Sequence, residues 1–409
     1  NASFESAALL LADRFPILKR RIFFHESAYV ESRAVLGRRI LEALEGTGYP
    51  VDLVWRNVVR AGEPRHLYTN FSLLEILDEV DTGWRPEPPQ RIAVLAHMFY
   101  DDMTPEVMSY LDHFPVPYDL YVTTTTKAKR TAILEALERF HINHVEVRIV
   151  ADNRGRDTSA MLLASKDVFD AGRYDLICRV HSKKSPQDSY NSADLFKHHM
   201  FDNLLWTPGY VANVLRLFQE QPTLGMVFPP VINIGYPTLG HAWFTNRPLA
   251  QRVAHQLGLS VVFDSSTPIA PYGSMFWARP EAMRKLVDFP WAWTDFPDEG
   301  GYRDGGLPHV LERLLAYTVL DSGYHVRSVM NRDWASINYA FLEYKLQKVA
   351  ALLPAQTQDQ LEYLQQAHAQ TNLLGAMKSE VDRRYPRAAK AARPGYRMAR
   401  AIGRRTLRR

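Results

Sequence analysis

Residues 91–126 read RIAVLAHMFYDDMTPEVMSYLDHFPVPYDLYVTTTT, and this stretch decides the fold. Residues 91–98 are short and nearly all apolar, the pattern of a strand buried on both faces of a parallel sheet. Thr104 is a good N-cap, and Pro105 then takes the first helical position. Residues 119–124 form a second strand, and residues 126–140 a second amphipathic helix. Residues 145–150, 157–169 and 175–180 continue the alternation as strand, helix and strand. Strands of about 5–8 residues separated by helices of about 10–15 predict right-handed crossovers and a buried parallel sheet.

The chain on either side of this core is read less regularly. Residues 1–90 look mainly helical, with helical spacing over 32–44 and 70–80 and a short strand at 51–54. The run WRPEPPQ at 84–90 reads as a linker. Downstream, a helical region over 193–220 leads to a strand at 225–231 and a helix near 248–257. A strand at 270–278, a short helix at 280–287, a loop, and a helix near 305–322 follow. Residues 355–379 are helical. The expected divisions are a helical region 1–90, a catalytic domain 91–350 and a helical, basic extension 351–409.

Composition limits the function classes. With 409 residues, 46% of them apolar, the chain can bury a large core. The longest apolar runs, at 92–96 and 225–230, fall far short of the roughly 20 residues that span a bilayer. No N-terminal stretch reads as a signal peptide, and the chain opens on Asn1, which fits a piece cut from a longer protein. The single cysteine, Cys178, cannot form an internal disulfide, so a reducing, cytoplasmic setting is expected. It reads as a small buried hydrophobe in a strand.

The net charge of +4 hides an uneven distribution. Residues 378–409 hold twelve Lys/Arg against two Asp/Glu, a net of +10, which leaves residues 1–377 at −6. Such a tail suits an anionic membrane surface, and it is interleaved with Tyr396, Met398, Ile402 and Leu407. The acidic body and the lack of aromatics beyond Tyr385 and Tyr396 argue against a nucleic-acid partner.

Ligands of open α/β sheets sit beyond the carboxyl ends of the strands, and the polar clusters of this chain fall there. His97 and Tyr100-Asp101 follow the first strand, and Thr123 begins the cluster after the second. Asn153-Arg154-Gly155-Arg156-Asp157 joins the third strand to its helix: Gly155 permits a tight turn, and two arginines offer bidentate donors for phosphate. His181-Ser182-Lys183-Lys184-Ser185 ends the fourth strand and could neutralise a diphosphate without a metal. Farther on stand Glu299, Asp304 and then His309, Glu312 and Arg313, which share one helical face. A carboxylate at a loop–helix junction can serve as a general base; the bland alternative is capping by Asp304. No zinc-ligand spacing, P-loop, dinucleotide fingerprint or nucleophile elbow occurs.

These residues carry a family likeness. Tyr49-Pro50-Val51-Asp52, Leu67-Tyr68-Thr69-Asn70, His97-Met98-Phe99-Tyr100, Asn153–Asp157, His181–Ser185, Gly273-Ser274-Met275-Phe276-Trp277, and Asp304-Gly305 with His309, Glu312 and Arg313 resemble the rhamnan synthesis protein F family of bacterial polysaccharide pathways. The resemblance covers residues from about 49 to 327. It implies a GT-A-like α/β fold: a mostly parallel sheet with flanking helices, plus helical N- and C-terminal additions. It implies an inverting glycosyltransferase that moves a sugar, dTDP-L-rhamnose favoured as donor, to a growing cell-surface polysaccharide, O-antigen or lipid-linked glycan.

In a GT-A enzyme the fourth strand usually ends in an Asp-x-Asp metal motif. Here His181-Ser182-Lys183 stands near its place, a departure that puts a divalent metal in doubt and points to Lys183, His181 and Arg156 as the source of positive charge instead. The donor set implied is His97, Thr123, Asn153, Arg154, Gly155, Arg156, Asp157, His181, Lys183 and Lys184. Gly273 and Trp277 would lie on the acceptor side, and Asp304, or failing that Glu299, would act as base, with His309 and Glu312 nearby. A non-catalytic glycan-binding protein of the same fold, using a groove of Trp206, Trp243, Trp277, Trp291 and Trp293, is the competing reading.

Overall fold

A computed structural model describes residues 2–15, 19–150, 152–182, 184, 190–235, 239–368 and 385. The chain forms two compact units, Asn1–Leu342 and Glu343–Arg409. The second contains the end of a helix at Arg332–Ala350 and a helix at Thr357–His368. Residues 378–384 and 386–409, most of the basic tail, lie outside the described residues. Among the described residues no helix is long and apolar enough to cross a membrane.

The first unit is built on one sheet. Its strands are β1 (Leu74–Leu77), β2 (Ile92–His97), β3 (Asp119–Thr124), β4 (His144–Ile149), β5 (Leu176–His181), β6 (Leu224–Phe228), β7 (Phe276–Ala278) and β8 (His325–Asn331). Across the sheet they run β1-β8-β6-β7-β5-β2-β3-β4. All neighbours are parallel except the short β7, which is antiparallel to both β5 and β6. The mostly parallel sheet with flanking helices agrees with the sequence reading.

Alternation along the strands makes two apolar layers. Ala93, Leu95, Tyr121, Ile177 and Phe276 face one, whereas Val94, Ala96, Val122, Cys178 and Trp277 face the other. Cys178 is fully buried, and burial pushes its thiol well above the ordinary range, as a strand-core residue requires.

Three expectations need correction. Residues 51–54 are not a strand but open the helix Val51–Val58, because Val51, Trp55 and Val58 fall on one buried face at helical spacing. Residues 70–80 are not a helix: Leu74–Leu77 pairs with β8 at the sheet edge, where Glu75 meets Arg327 (2.5 Å) and Arg38 (2.6 Å). The region 157–169 breaks into a helical turn at Arg156–Ser159, a π turn at Ala160–Ala164 and a 3-10 turn at Lys166–Phe169. There the Ser159 hydroxyl donates to the Arg156 carbonyl at 3.0 Å and competes with regular helix bonds.

Candidate active site

The chain runs outward from β2 through β3 to β4, then returns to β5 on the other side of β2. The β2/β5 junction is therefore the point where strand order reverses, and crevices open at such points. His97 and His181 end these strands as direct neighbours in register, with Thr123 beside His97 on β3.

His97 Nδ1 is hydrogen-bonded to Thr123 Oγ1 at 2.9 Å. Burial, opposed by the Asp157 charge, pulls its imidazole down to about 4, so the ring is neutral near pH 7. Its Nε2 has no hydrogen-bond partner among the described residues. His181 is also buried, and its Nε2 donates to the Gly273 carbonyl at 2.7 Å. Two residues earlier on β5, Arg179 is 3% exposed. Its guanidinium donates to Asp157 Oδ2 at 2.6 Å and also to the Ser274 carbonyl.

The Asn153–Asp157 loop is tied to the segment 296–297. The Gly155 amide donates to the Pro297 carbonyl (3.1 Å), and the Arg154 guanidinium to the Phe296 carbonyl (3.1 Å) and Asp152 (2.9 Å). Gly155 and Arg156 are successive left-handed residues, at φ +69° and +53°. A Cβ on Gly155 would lie 2.4 Å from the Phe296 ring, so no larger residue fits. Arg156 places its guanidinium 3.8 Å from the centre of the Tyr302 ring and makes no ion pair among the described residues. The buried Oδ1 of Asn153 also has no partner among them.

On the other flank, Gly273 and Ser274 are left-handed at φ +83° and +56°. The Gly273 amide and the Ser274 hydroxyl donate to Glu312 Oε2 at 2.8 and 3.3 Å, while Glu312 Oε1 pairs with the buried Arg313. Asp304 accepts from the Thr245 amide (3.1 Å), the Thr245 hydroxyl (2.7 Å) and Asn246 Nδ2 (2.7 Å). Burial opposes ionisation there, but these bonds and the Arg313 charge prevail and hold its carboxyl below the usual range. Its contacts are to the 245–246 segment, and Gly306, not Asp304, is the N-cap of the Leu307–Asp321 helix. His309 Nδ1 donates to the Arg303 carbonyl at 3.0 Å, and its ring lies 4.7 Å from that of Tyr302. Glu299 is exposed and opens the 3-10 turn Glu299–Gly301. Lys184 is exposed and pairs with Asp102. Lys183 lies outside the described residues.

Hydrogen bonds and the β2/β5 register thus connect His97, Thr123, Asp157, His181, Gly273 and Glu312. Trp277 departs from expectation. It is fully buried, its indole donates to the Leu204 carbonyl at 3.3 Å and its ring packs 5.1 Å from Phe114, so it offers no face to an acceptor. The five tryptophans do not line one groove either, since Trp243 and Trp291 pack on one layer of the sheet and Trp206 and Trp277 on the other.

Sequence reasoning missed Arg179 and Tyr302. Arg179 carried a signal, because a lone arginine inside the buried run Leu176–His181 demands a buried partner. Tyr302 carried none. Among the described residues no group of three or more His, Cys, Asp or Glu side chains gathers to hold a metal ion.

Residues 1–324 match rhamnan synthesis protein F, and the chain belongs to that family. The match begins ahead of the motifs near residue 49 and takes in the N-terminal helices. Two curated relatives, both uncharacterized proteins WxcX from strains of Xanthomonas campestris pv. campestris, are 26% identical over 241 residues. That stretch is 58% of this chain and 32% of each relative, so the chain spans about a third of their length. A solved structure of CMP:2-keto-3-deoxy-manno-octonic acid synthetase complexed with CTP shares 9% identity and a TM-score of 0.30. It covers 62% of this chain and 99% of that one, a likeness too slight to carry an argument.

Proposed function

We propose that this chain is an inverting glycosyltransferase that transfers a sugar, L-rhamnose from its dTDP form by preference, to a hydroxyl of a growing cell-surface polysaccharide. The observation that carries the reading is Arg156: on the loop whose Asp157 pairs with Arg179 of β5, a guanidinium stacked on Tyr302 makes no ion pair among the described residues. Such a group is ready for a diphosphate. The unpartnered Asn153 Oδ1 beside it suits a hydroxyl or N–H of the nucleoside. Family membership supports polysaccharide synthesis. The strand order, with one antiparallel strand between β5 and β6, supports the GT-A-like reading.

In this mechanism the acceptor oxygen attacks the anomeric carbon as the bond to the diphosphate oxygen breaks. The electron pair leaves with the nucleoside diphosphate, the anomeric configuration inverts, and a carboxylate takes the acceptor proton. Arg156, His181 and Lys183 offset the charge that develops on the leaving group, commonly the largest catalytic contribution. Asp304 takes the proton, or failing that Glu299. Asp304 Oδ1 accepts one bond and Oδ2 two, which leaves Oδ1 a free lone pair. The reaction faces the cytoplasm, with residues 388–409 resting on the anionic inner membrane surface.

The test is a thermal-shift screen of nucleoside diphosphates and nucleotide sugars with and without magnesium, since a ligand of the folded state raises the melting temperature. A selective, metal-independent shift by dTDP species is expected. A shift that appears only with metal would remove Arg156 and Lys183 as the principal charge donors.

A further inference from the structure

A cavity of about 350 Å³ lies between the Pro64–Asn70 helix, the segments 230–233, 240–242 and 267–272, the end of β6 and the middle of β8, and includes neither His97 nor His181 among its described lining residues. Its volume falls within the roughly 300–1,000 Å³ of small-molecule pockets. Tyr68, Phe228, Ile269 and Tyr272 give it apolar and aromatic walls, with Arg65 and Ser328 among its polar groups. Arg65 is fixed by bonds from Nη2 to the Thr267 (3.2 Å) and Pro268 (3.0 Å) carbonyls, and its amide donates to Asp264 at 2.7 Å. The buried Nε of Arg65 has no partner among the described residues. The Tyr68 ring lies 5.2 Å from the Arg65 guanidinium.

Segment 272–274 joins this cavity to the strand-end site. Tyr272 lines the cavity. The next residue, Gly273, gives its amide to Glu312 and its carbonyl to His181. A ligand in the cavity therefore lies across a single segment from the site assigned to the donor. Arg65 is the only charged residue among the described lining residues, and the Asp264 carboxylate stands against its backbone, so the cavity is poorly suited to a diphosphate. Aromatic walls with a few fixed donors instead suit a sugar ring, whose C–H faces pack on tyrosine while its hydroxyls meet the polar groups.

We infer that this cavity is the acceptor subsite and takes a terminal 6-deoxyhexose residue of the glycan chain. The inference rests on the glycosyltransferase reading above. The ring hydroxyls meet Arg65, Tyr68 and Ser328, and the C6 methyl packs on the Phe228–Ile269 wall. The Pro64–Asn70 helix thus gives the N-terminal region a part in acceptor choice.

The test is calorimetric titration of the full chain with a rhamnose oligosaccharide, and with methyl L-rhamnoside against methyl L-mannoside, which differ only at C6. The oligosaccharide is expected to bind, and the 6-deoxy sugar to bind about tenfold more tightly than its hydroxylated counterpart. Arg65→Met and Tyr68→Phe should each weaken oligosaccharide binding about tenfold or more while leaving the nucleotide-induced thermal shift unchanged. Tyr68→Phe removes one hydroxyl, so it keeps the test sound if Arg65→Met folds poorly. Equal binding by wild type and both variants would overturn the inference, as would equal affinity for the two monosaccharides or no glycan binding at all. Absence of a nucleotide shift in the wild type would instead defeat the donor-site reading, which the glycan titration measures separately.

Discussion

The Arg156 guanidinium lies 3.8 Å from the centre of the Tyr302 ring, on a backbone held at φ +53°. A left-handed arginine costs of order 1 kcal/mol, the kind of strain that persists where a side chain must be aimed. Arg156→Gly relieves that strain and removes the cation. The unfolding free energy should then stay within about 1 kcal/mol of wild type, while dTDP affinity measured by calorimetry falls at least tenfold. A parallel loss of stability and binding would make Arg156 a structural residue.

Asp157 and Arg179 form one buried ion pair of the site, at 2.6 Å, beside the Glu312–Arg313 pair. Asp157→Asn leaves Arg179 charged and without its partner. Breaking one side of such a pair costs about 3–5 kcal/mol, so the urea midpoint should drop sharply. A change below about 1 kcal/mol would mean that water reaches Arg179 in solution.

Buried histidines set the acid limit, and His97, His199 and His325 are each held below the ordinary range by burial. Burial holds both His97 and His199 at about 4 in the folded chain. Unfolded, each binds a proton near 6.5, so between pH 6.5 and 4 the unfolded state holds more protons. The stability from each neutral ring is complete above about pH 6.5 and is lost as pH falls toward 4, to a limit of roughly 3 kcal/mol per histidine. Urea unfolding at stepped pH should show this slope, and His97→Gln should flatten it. An unchanged slope in the variant would remove His97 from the account.

Gly155 tests the loop geometry. Gly155→Ala asks a Cβ to occupy space 2.4 Å from the Phe296 ring at φ +69°. A loss of roughly 1–3 kcal/mol is expected from strain and displacement together, with weaker nucleotide binding as the loop shifts. Near-wild-type behaviour in both would show that the loop adapts without consequence.

The sequence was most readable where strands are uniformly apolar. Five strands, β2 to β6, lie close to where the alternation of short strands and helices placed them, β3 with the same ends. The edge pair was hidden because its polar residues are neutralised only in three dimensions. Glu75 on β1 and Arg327 on β8 look like surface residues until they meet, and His325 on β8 is stacked 5.0 Å from Trp55. The helical region over 193–220 divides in two, because Thr207 accepts from the Tyr210 amide at 3.1 Å and starts a second helix at Pro208. Polar clusters at strand ends led to His97, Arg156 and His181, because strand ends are where a parallel sheet collects its ligands. Trp277 misled for the opposite reason: in a three-residue antiparallel strand, alternation alone decides which side chain is buried, and the sequence does not mark where that strand starts.

The most direct test of the central claim is a transfer assay. The chain is incubated with dTDP-L-rhamnose and a short rhamnose oligosaccharide without added metal, and the products are followed by mass spectrometry and anomeric NMR. The account predicts a primer extended by one deoxyhexose with inverted anomeric configuration, and no extension by Arg156→Gln. Binding of the oligosaccharide with no transfer from dTDP-rhamnose or any other nucleotide sugar, with or without metal, would contradict it.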